Sequence, residues 1–390
     1  MGTQTLKLLH WEALQSLLDY RGTCVSLYMP MHPSGPNPQQ DSTRLKKLLN
    51  ESSQLLHASE SNQAVDSLLA PGYQLLETGG FRRHGHEGLA LFLGEGFFHK
   101  FQLRDRLPER VVVGRRFNLK LLLAPLQEDA LFFVLATSLG SLRLLRCTRN
   151  TVEPVALEGV AASFEEAMRF DEEQSHLQFH TGSPQVPGGR AALFHGHSEG
   201  TDEARHKTNI LNWFRKVDTA VGKLLKGSDT PLVFAGVESL LGLYRKANSS
   251  RNLLEESVTW NPQGSKPEQL RTKAWRIVRK RLKDERQQVL TSCAERLAKR
   301  DRATKRIQNV LPASREGRVE TLLLAAGGEL WGEFDSDSGS VRVQSSQGPE
   351  QGEDLLDRAA RETLAHGGRL LVVEAAEMPE KSLVVAALRY

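Results

Sequence analysis

The sequence has few cysteines and no long apolar segment. Its three cysteines, Cys24, Cys147 and Cys293, are far apart and form no Cys-x-x-Cys motif. This argues against a disulfide-bonded secreted protein and is typical of an intracellular protein with reduced thiols. No apolar run approaches the roughly 20 residues that a membrane-spanning helix requires, and the N-terminus lacks the apolar stretch of a signal peptide. We therefore expect a cytoplasmic protein that does not enter a membrane.

Charge is nearly balanced over the whole chain but is unevenly distributed. The formal net charge is +4. Residues 271–306 alone contain 14 Lys and Arg against 4 Asp and Glu, a net charge of +10, which leaves the other residues at −6. A basic segment on a mildly acidic protein favours a specific contact with a polyanion. A solvated helix face is the alternative interpretation of the same charges.

Length and periodicity predict several α/β domains. A chain of 390 residues exceeds what one hydrophobic core usually supports, so two or three domains are expected. Strand-like and helix-like patterns alternate along the sequence, which predicts an α/β fold. We place an N-terminal α/β domain at 1–126, a middle domain at 127–266 and a C-terminal α/β/α domain at 267–390.

Local patterns locate several elements within these domains. Alternating residues predict hairpins at 89–103, with a turn at 94–96, and at 130–146. A helix capped by Thr201 or Asp202 is expected to extend to about Lys226. Its apolar stripe is formed by Ile210, Phe214, Val217, Val221 and Leu224. The basic helix that opens the C-terminal domain has a predicted buried side formed by Trp275, Val278, Leu282, Val289, Cys293 and Leu297.

Residues 160–200 form a long segment with little periodicity, rich in glycine, proline, histidine and acidic residues. Long irregular segments inside compact domains are usually functional or disordered. This segment contains Gly188-Gly189-Arg190 and, closer to the following helix, His195-Gly196-His197. A glycine-rich loop that leads into a long helix beside a buried strand is a way of carrying loop atoms to a distant target.

Three stretches of sequence carry a resemblance to a known family. They are, in chain order, Val25-Ser-Leu-Tyr-Met-Pro30 with residues 39–49, Phe194-His-Gly-His197 with residues 212–218 and 231–241, and residues 317–324 with Trp331-Gly332 and the terminal Leu388-Arg-Tyr390. Together they resemble the bacterial archaeo-eukaryotic release factor family, most closely its family 3, over nearly the whole chain. The middle stretch is also similar to the central domain of archaeal and eukaryotic class-one release factors and of the surveillance factor Pelota.

The resemblance implies a fold and a set of partners. The middle domain would have a ribonuclease-H-like fold, and the last would share the fold of kink-turn-binding ribosomal proteins and of the third release-factor domain. The first domain would replace the codon-reading domain. Because this sequence has no Asn-Ile-Lys-Ser motif, stop-codon reading is not expected. The implied partners are the ribosome and its RNA, with a translational GTPase as a second candidate, whereas DNA and membranes are not expected.

The irregular segment departs from the family at its catalytic position. In release factors this loop carries Gly-Gly-Gln, whose glutamine helps to position water at the peptidyl-tRNA ester. Here Arg190 follows Gly188 and Gly189, and its side chain has no amide. His195 or His197 could instead supply a neutral imidazole as a general base. The missing glutamine favours a non-enzymatic factor, and a peptidyl-tRNA ester hydrolase is the enzymatic alternative.

Metal and nuclease chemistry have weaker support in the sequence. Histidines that could suggest a zinc site are His176, His180, His195, His197 and His206. No cysteine lies near them and their segment is irregular, so we expect solvated histidines, no metal and no cofactor. A nuclease would require several carboxylates that converge on two metal ions, and the strand predicted at 130–136 carries none.

Cations on two predicted helices are the best candidates for phosphate contacts. They are Lys207, Arg215 and Lys216 on the helix after the irregular segment, and Lys273, Arg276, Arg279, Lys280, Arg281 and Lys283 on the basic helix. Such cations give RNA affinity that depends on salt and not on sequence. Trp275 lies on the apolar side of its helix, and we expect it in the core rather than as a platform for base stacking.

The resemblance, together with the basic segment, predicts a ribosome-associated, release-factor-like protein. It would bind the aminoacyl-tRNA site and act in rescue, stress response or hibernation without reading stop codons. The alternatives are a peptidyl-tRNA hydrolase that uses a loop without Gly-Gly-Gln, and an RNA-binding protein that does not act on the ribosome.

Overall fold

The chain divides into two compact units. A computed structural model describes residues 11–32, 38–57, 60–80, 85–169, 199–344 and 352–390. One unit consists of residues 1–128 together with 285–390, and the other of residues 129–284. The first predicted domain and residues 285–390 of the third thus fall in one unit, and residues 267–284 fall in the other with most of the predicted middle domain. The division of the chain into three domains stays a prediction.

The N-terminal part of the first unit is an antiparallel sheet with helices. Its strands are β1 (Cys24–Pro30), β2 (Gly88–Gly94), β3 (Phe97–Leu103) and β4 (Arg110–Gly114), and its helices are α1 (Trp11–Asp19), α2 (Pro38–Leu56), α3 (Asn62–Thr78) and α4 (Lys120–Glu128). The sheet has the order β3-β2-β1-β4. The predicted hairpin at 89–103 is confirmed, because β2 and β3 pair from Gly88 opposite Leu103 to Gly94 opposite Phe97.

The second unit contains a five-stranded sheet. Its strands are β5 (Phe132–Ser138), β6 (Ser141–Cys147), β7 (Val152–Val155), β8 (Leu232–Gly236) and β9 (Val258–Thr259). In the order β7-β6-β5-β8-β9, the first three strands are antiparallel neighbours, whereas β8 is parallel to β5 and β9 is parallel to β8. The hairpin predicted at 130–146 is confirmed, and the strand order is that of a ribonuclease-H-like sheet.

Helices cover both faces of this five-stranded sheet. Because side chains alternate along a strand, Phe133 and Leu135 of β5 face one way and Phe132 and Val134 face the other. The first pair packs under α5 (Glu199–Leu224) and α6 (Glu238–Ala247). The second pair packs under the first half of α7 (Pro267–Lys299). Two apolar clusters therefore lie on opposite sides of the sheet.

The predicted apolar stripe of α5 is confirmed except at its last position. Four of its five members are buried, whereas Leu224 is 42% exposed. Leu225 is buried instead, and its backbone N–H donates to the Val221 carbonyl at 2.9 Å. Steps of three and of four residues both fit a helical period. Packing against the sheet buries Leu225, which follows Val221 by four residues, rather than Leu224.

The C-terminal part of the first unit contains two further sheets. Its elements are β10 (Ala303–Thr304), α8 (Ile307–Arg315), β11 (Val319–Ala325), β12 (Trp331–Phe334), β13 (Val341–Val343), β14 (Glu353–Asp354), α9 (Leu355–Ala365), β15 (Arg369–Val373) and β16 (Val384–Leu388). The larger sheet has the order β10-β16-β11-β15, and the smaller one has the order β13-β12-β14. The second half of α7 packs on the larger sheet through Leu290, Cys293 and Leu297.

Both parts of the first unit share one core. Phe92 and Leu122 from the N-terminal part belong to the same buried cluster as Leu322 and Leu355 from the C-terminal part. Since the cluster draws on segments more than 200 residues apart, the N-terminal and C-terminal parts stabilise each other. The predicted α/β class is confirmed for both units. Among the described helices, none is both long and apolar enough to cross a membrane.

Candidate nucleic-acid interface

The candidate catalytic residues of the irregular segment lie outside the described residues. They are Gly188, Gly189, Arg190, His195 and His197. The structure therefore provides no geometry for either the arginine or the histidine hypothesis, and both stay predictions. The predicted phosphate contacts on α5 and α7, in contrast, are all described.

The first half of α7 has one apolar face and one cationic face. Leu270, Ala274 and Val278 are buried against the sheet at steps of four residues. At about 100° per residue, the opposite face of the helix carries a group of cations that we call the basic face. It consists of Lys273, Arg276, Arg279, Lys280 and Lys283. Lys273 is half-buried and the other four are exposed, whereas Arg281 falls on the apolar side of the helix by the same geometry and is half-buried.

Most of the basic face has no carboxylate partner among the residues that the structure describes. Lys280 pairs with Glu256, and both side chains are more than half exposed. The hydrogen bond to Glu256 raises the pKa of Lys280, so this ammonium stays charged. Within the described ranges, no carboxylate pairs with Arg276, Arg279 or Lys283. Three cations therefore remain available to an external anion.

The cations of α5 lie on the other side of the sheet. Lys207 pairs with Glu203 at 2.6 Å, and Arg215 donates to the Asn212 side-chain oxygen at 3.0 Å. Lys216 is also exposed. Because α5 and α7 cover opposite faces of the five-stranded sheet, the structure brings the α7 cations together but separates them from the α5 cations. The predicted phosphate contacts thus form two groups on two surfaces.

Trp275 belongs to the core, as predicted. It is half-buried and its ring lies 5.9 Å from that of Phe132, between ring centroids. Another tryptophan, which sequence reasoning missed, is exposed. Trp260 directly follows β9, is 41% exposed, and has the Lys273 ammonium 3.0 Å above its ring centroid. Its position before Asn261-Pro262, within a turn-forming stretch, was the available sequence indication.

The segment that follows Trp260 is held in place by hydrogen bonds. The Trp260 backbone N–H donates to the Gly236 carbonyl at 3.2 Å. Arg143 on β6 donates to the carbonyl oxygens of Pro262 at 2.7 Å and Ser265 at 2.9 Å. One guanidinium thus fixes the connection between β9 and α7, and with it the position of the indole beside the basic face.

The described part of this surface carries groups that bind nucleic acids. It offers ammonium and guanidinium groups and one exposed aromatic ring, which are the groups that contact phosphates and bases in nucleic-acid complexes. Nowhere in the described part of the chain do three or more His, Cys, Asp or Glu side chains gather in a way that could hold a metal ion.

Comparison with known families supports the predicted relationship at a coarse level. The sequence model of bacterial archaeo-eukaryotic release factor family 7 matches residues 132–280. The matched segment extends from β5 into the basic face, within the second unit. It supports a relationship to the bacterial archaeo-eukaryotic release factors, and the finer assignment to family 3 stays a prediction. No curated protein matches the chain.

Several solved structures are similar over most of the chain, with low identity and low structural scores. Ribosome-bound archaeal Pelota is 10% identical with a TM-score of 0.40, and the match covers 100% of this chain and 95% of that one. The archaeal translation termination factor aRF1 is 18% identical with a TM-score of 0.24, over 97% of each chain. Dom34 of S. cerevisiae is 12% identical with a TM-score of 0.36, over 76% of this chain and 74% of that one.

Proposed function

We propose that this protein is a ribosome-associated, release-factor-like protein that contacts ribosomal RNA through the basic face of α7. The observation that carries the proposal is a coincidence of two features. The segment matched by the release-factor family model, residues 132–280, ends within the same helical face on which Arg276, Arg279 and Lys283 lack carboxylate partners among the described residues.

The chemistry of the basic face favours RNA as the anion. Its cations lie on one side of a helix, and side chains three or four residues apart on a helix are neighbours. The resulting row matches a polyanion better than a single small anion. Such contacts position a protein on a phosphate backbone and carry no sequence information by themselves. The proposal therefore requires no stop-codon reading.

Co-sedimentation with purified ribosomes tests this proposal. A triple variant, Arg276→Gln, Arg279→Gln and Lys283→Gln, removes the three cations without partners and should pellet with ribosomes markedly less than the wild type at moderate salt. The matched control is Lys223→Gln, Lys226→Gln and Lys246→Gln, which removes three exposed cations elsewhere in the second unit and should pellet normally. If the wild-type protein fails to pellet with ribosomes at every salt concentration, the proposal is refuted.

A third triple variant distinguishes the two predicted groups of phosphate contacts. It carries Lys207→Gln, Arg215→Gln and Lys216→Gln on α5, which covers the opposite face of the sheet. If the α5 variant pellets poorly and the α7 variant pellets normally, the RNA contact lies on the α5 surface. That result would contradict the assignment of the basic face while leaving ribosome association intact.

The place of binding is the finer part of the proposal. We place the protein at the aminoacyl-tRNA site, where it would act by occupancy in rescue, stress response or hibernation, with a translational GTPase as a second partner. Ribosomes with a filled peptidyl-tRNA site and an empty aminoacyl-tRNA site should then bind it. Prior filling of the aminoacyl-tRNA site should prevent binding. Equal binding to both ribosome preparations would place the protein elsewhere.

Occupancy rather than hydrolysis is supported by Arg190, which follows Gly188 and Gly189 in the nearest counterpart of the Gly-Gly-Gln motif of release factors. Incubation of the protein with ribosomes that carry peptidyl-tRNA should release no peptide above the rate without protein. Release by the wild type that is abolished by His195→Ala with His197→Ala would instead establish the hydrolase alternative with a histidine mechanism.

A further inference from the structure

Trp260 is an exposed tryptophan at the end of β9. Tryptophan is highly buried on average because its ring has a large apolar area. Trp260 nevertheless leaves 41% of its surface accessible, although it directly follows a strand of the five-stranded sheet. An aromatic ring that is held by the backbone and open to solvent is a common feature of surfaces that bind single-stranded nucleic acid.

The basic face lies directly beside this ring. The Lys273 ammonium stands 3.0 Å above the indole centroid, and Lys280 pairs with Glu256, four residues before Trp260. Two residues of α7, seven positions apart, thus both reach the segment 256–260. Arg276 lies between them on the same side of the helix, three residues after Lys273 and four before Lys280. Its guanidinium is exposed, and no described carboxylate pairs with it.

The ring and the cations are held at a fixed spacing before any ligand binds. Arg143 fixes the segment between Trp260 and α7 through two carbonyl oxygens, and the buried stripe of α7 fixes the helix on the sheet. A site whose groups are already in place loses less conformational freedom on binding. This distinguishes the pair from a tryptophan and a lysine that meet on a mobile surface.

We propose that Trp260, Lys273 and Arg276 form a subsite for one unstacked nucleotide of RNA. The base stacks on the face of the indole opposite the Lys273 ammonium, and the adjacent phosphates pair with Arg276 and Lys273. Bases inside an A-form helix are shielded from such stacking, so the ligand is a nucleotide in a loop, a bulge or a single strand. The inference rests on the proposed function, since it assigns a base contact to the surface proposed to bind RNA.

Fluorescence anisotropy of a labelled eight-nucleotide single-stranded RNA with the full-length protein tests the subsite. Trp260→Ala should weaken binding by about tenfold or more, because a base stacked on an aromatic ring contributes strongly to affinity. Trp260→Phe keeps an aromatic face and should bind within about threefold of the wild type. Since Trp260 is exposed, both variants should keep the wild-type melting temperature, which serves as the check on folding.

The salt dependence of the same binding separates stacking from charge. Trp260→Ala should leave the slope of log affinity against log salt unchanged, because an uncharged ring displaces no counterions. Arg276→Gln should reduce that slope by about one, as expected for the loss of one phosphate contact. A blunt duplex RNA should bind the wild type and Trp260→Ala equally, because it presents no free base.

Several results would overturn the inference. One is equal RNA affinity of Trp260→Ala and the wild type. Another is a loss of affinity in Trp260→Phe as large as in Trp260→Ala. A variant that loses ribosome co-sedimentation but keeps oligonucleotide binding would identify a protein as the occupant of the ring. If instead Trp260→Ala weakens RNA binding and the wild type fails to pellet with ribosomes at any salt, the subsite stands and the proposed ribosomal function fails.

Discussion

A buried ion pair contributes to the link between the two parts of the first unit. Lys120 pairs with Asp354, and both side chains are almost fully buried. Lys120 also donates to the Gly328 carbonyl, and Asp357 accepts from the Leu119 and Lys120 backbone N–H groups at 2.6 and 2.9 Å. The loss of one partner affects stability more than the attraction between the two contributes to it, because the loss leaves an uncompensated buried charge.

Lys120→Met is therefore expected to destabilise the protein by about 3–5 kcal/mol, measured by chemical denaturation. Burial already raises the pKa of Asp354 in the folded protein, and the variant removes the cation that opposes this rise. A carboxyl with a raised folded pKa costs stability while ionised, and this cost disappears as the pH falls through that pKa. The deficit of the variant should thus be largest at neutral pH and shrink on acidification.

The control for this prediction is an exposed ion pair. Lys47 pairs with Glu109 at 2.8 Å and is 68% exposed, so Lys47→Met should cost less than about 1 kcal/mol. Equal losses for the two variants, or a deficit of Lys120→Met that does not change with pH, would contradict the assignment of a buried pair.

The three cysteines provide a second prediction at the scale of residues. Burial raises the pKa of Cys24 and of Cys147 to about 12 and that of Cys293 to about 11. Because the thiolate is the reactive form, none of them should react with a disulfide reagent at pH 8 in the native protein. All three should react at once after unfolding in guanidinium. Rapid reaction of one thiol in the native state would show that its site is open.

At the scale of elements, α7 contributes to two apolar clusters. Its first half buries Leu270, Ala274 and Val278, and its second half buries Leu290, Cys293 and Leu297. The buried side predicted from the sequence is confirmed, because each of its six members belongs to one of these clusters or packs against it.

Two neighbouring positions on α7 test this assignment. Val278 is fully buried in the apolar cluster under the five-stranded sheet, so Val278→Asp places a carboxylate without a partner in that cluster. We expect a loss of about 3–5 kcal/mol in unfolding free energy. Arg279→Asp makes a larger change in charge on the exposed face but should cost less than about 1 kcal/mol. Similar losses at both positions would mean that the helix is rotated.

At the scale of the whole molecule, positive charge is concentrated in residues 271–306, and the remainder of the chain is mildly acidic. The net charge of +4 conceals the +10 of residues 271–306. Part of that excess is paired internally, as in Arg286 with Glu377, Arg296 with Glu320 and Lys305 with Glu380. These three pairs lie in the first unit, whereas Arg276, Arg279 and Lys283 lie in the second. The number of available cations is therefore smaller than the composition indicates.

The salt dependence of RNA binding measures the number of cations available to phosphate. If these three cations and Lys273 each contact one phosphate of a single strand, the slope of log affinity against log salt is about −2.8, so affinity falls about 50-fold between about 50 and 200 mM salt. The measurement is a titration of single-stranded RNA at several salt concentrations. A slope near −7 would mean that the paired cations of residues 271–306 also contact RNA.

The sequence by itself determined the α/β class, both hairpins, most of the α5 stripe and the position of the basic segment. These features are local, because they depend on the spacing of apolar residues and on turn chemistry within a few residues. Only the tertiary structure decided which cations are already paired, that the α5 and α7 cations lie on opposite faces of one sheet, and that Trp260 rather than Trp275 is exposed. Each of these depends on contacts between residues far apart in the chain, such as Lys280 with Glu256 or Phe132 with Trp275, which periodicity cannot reveal.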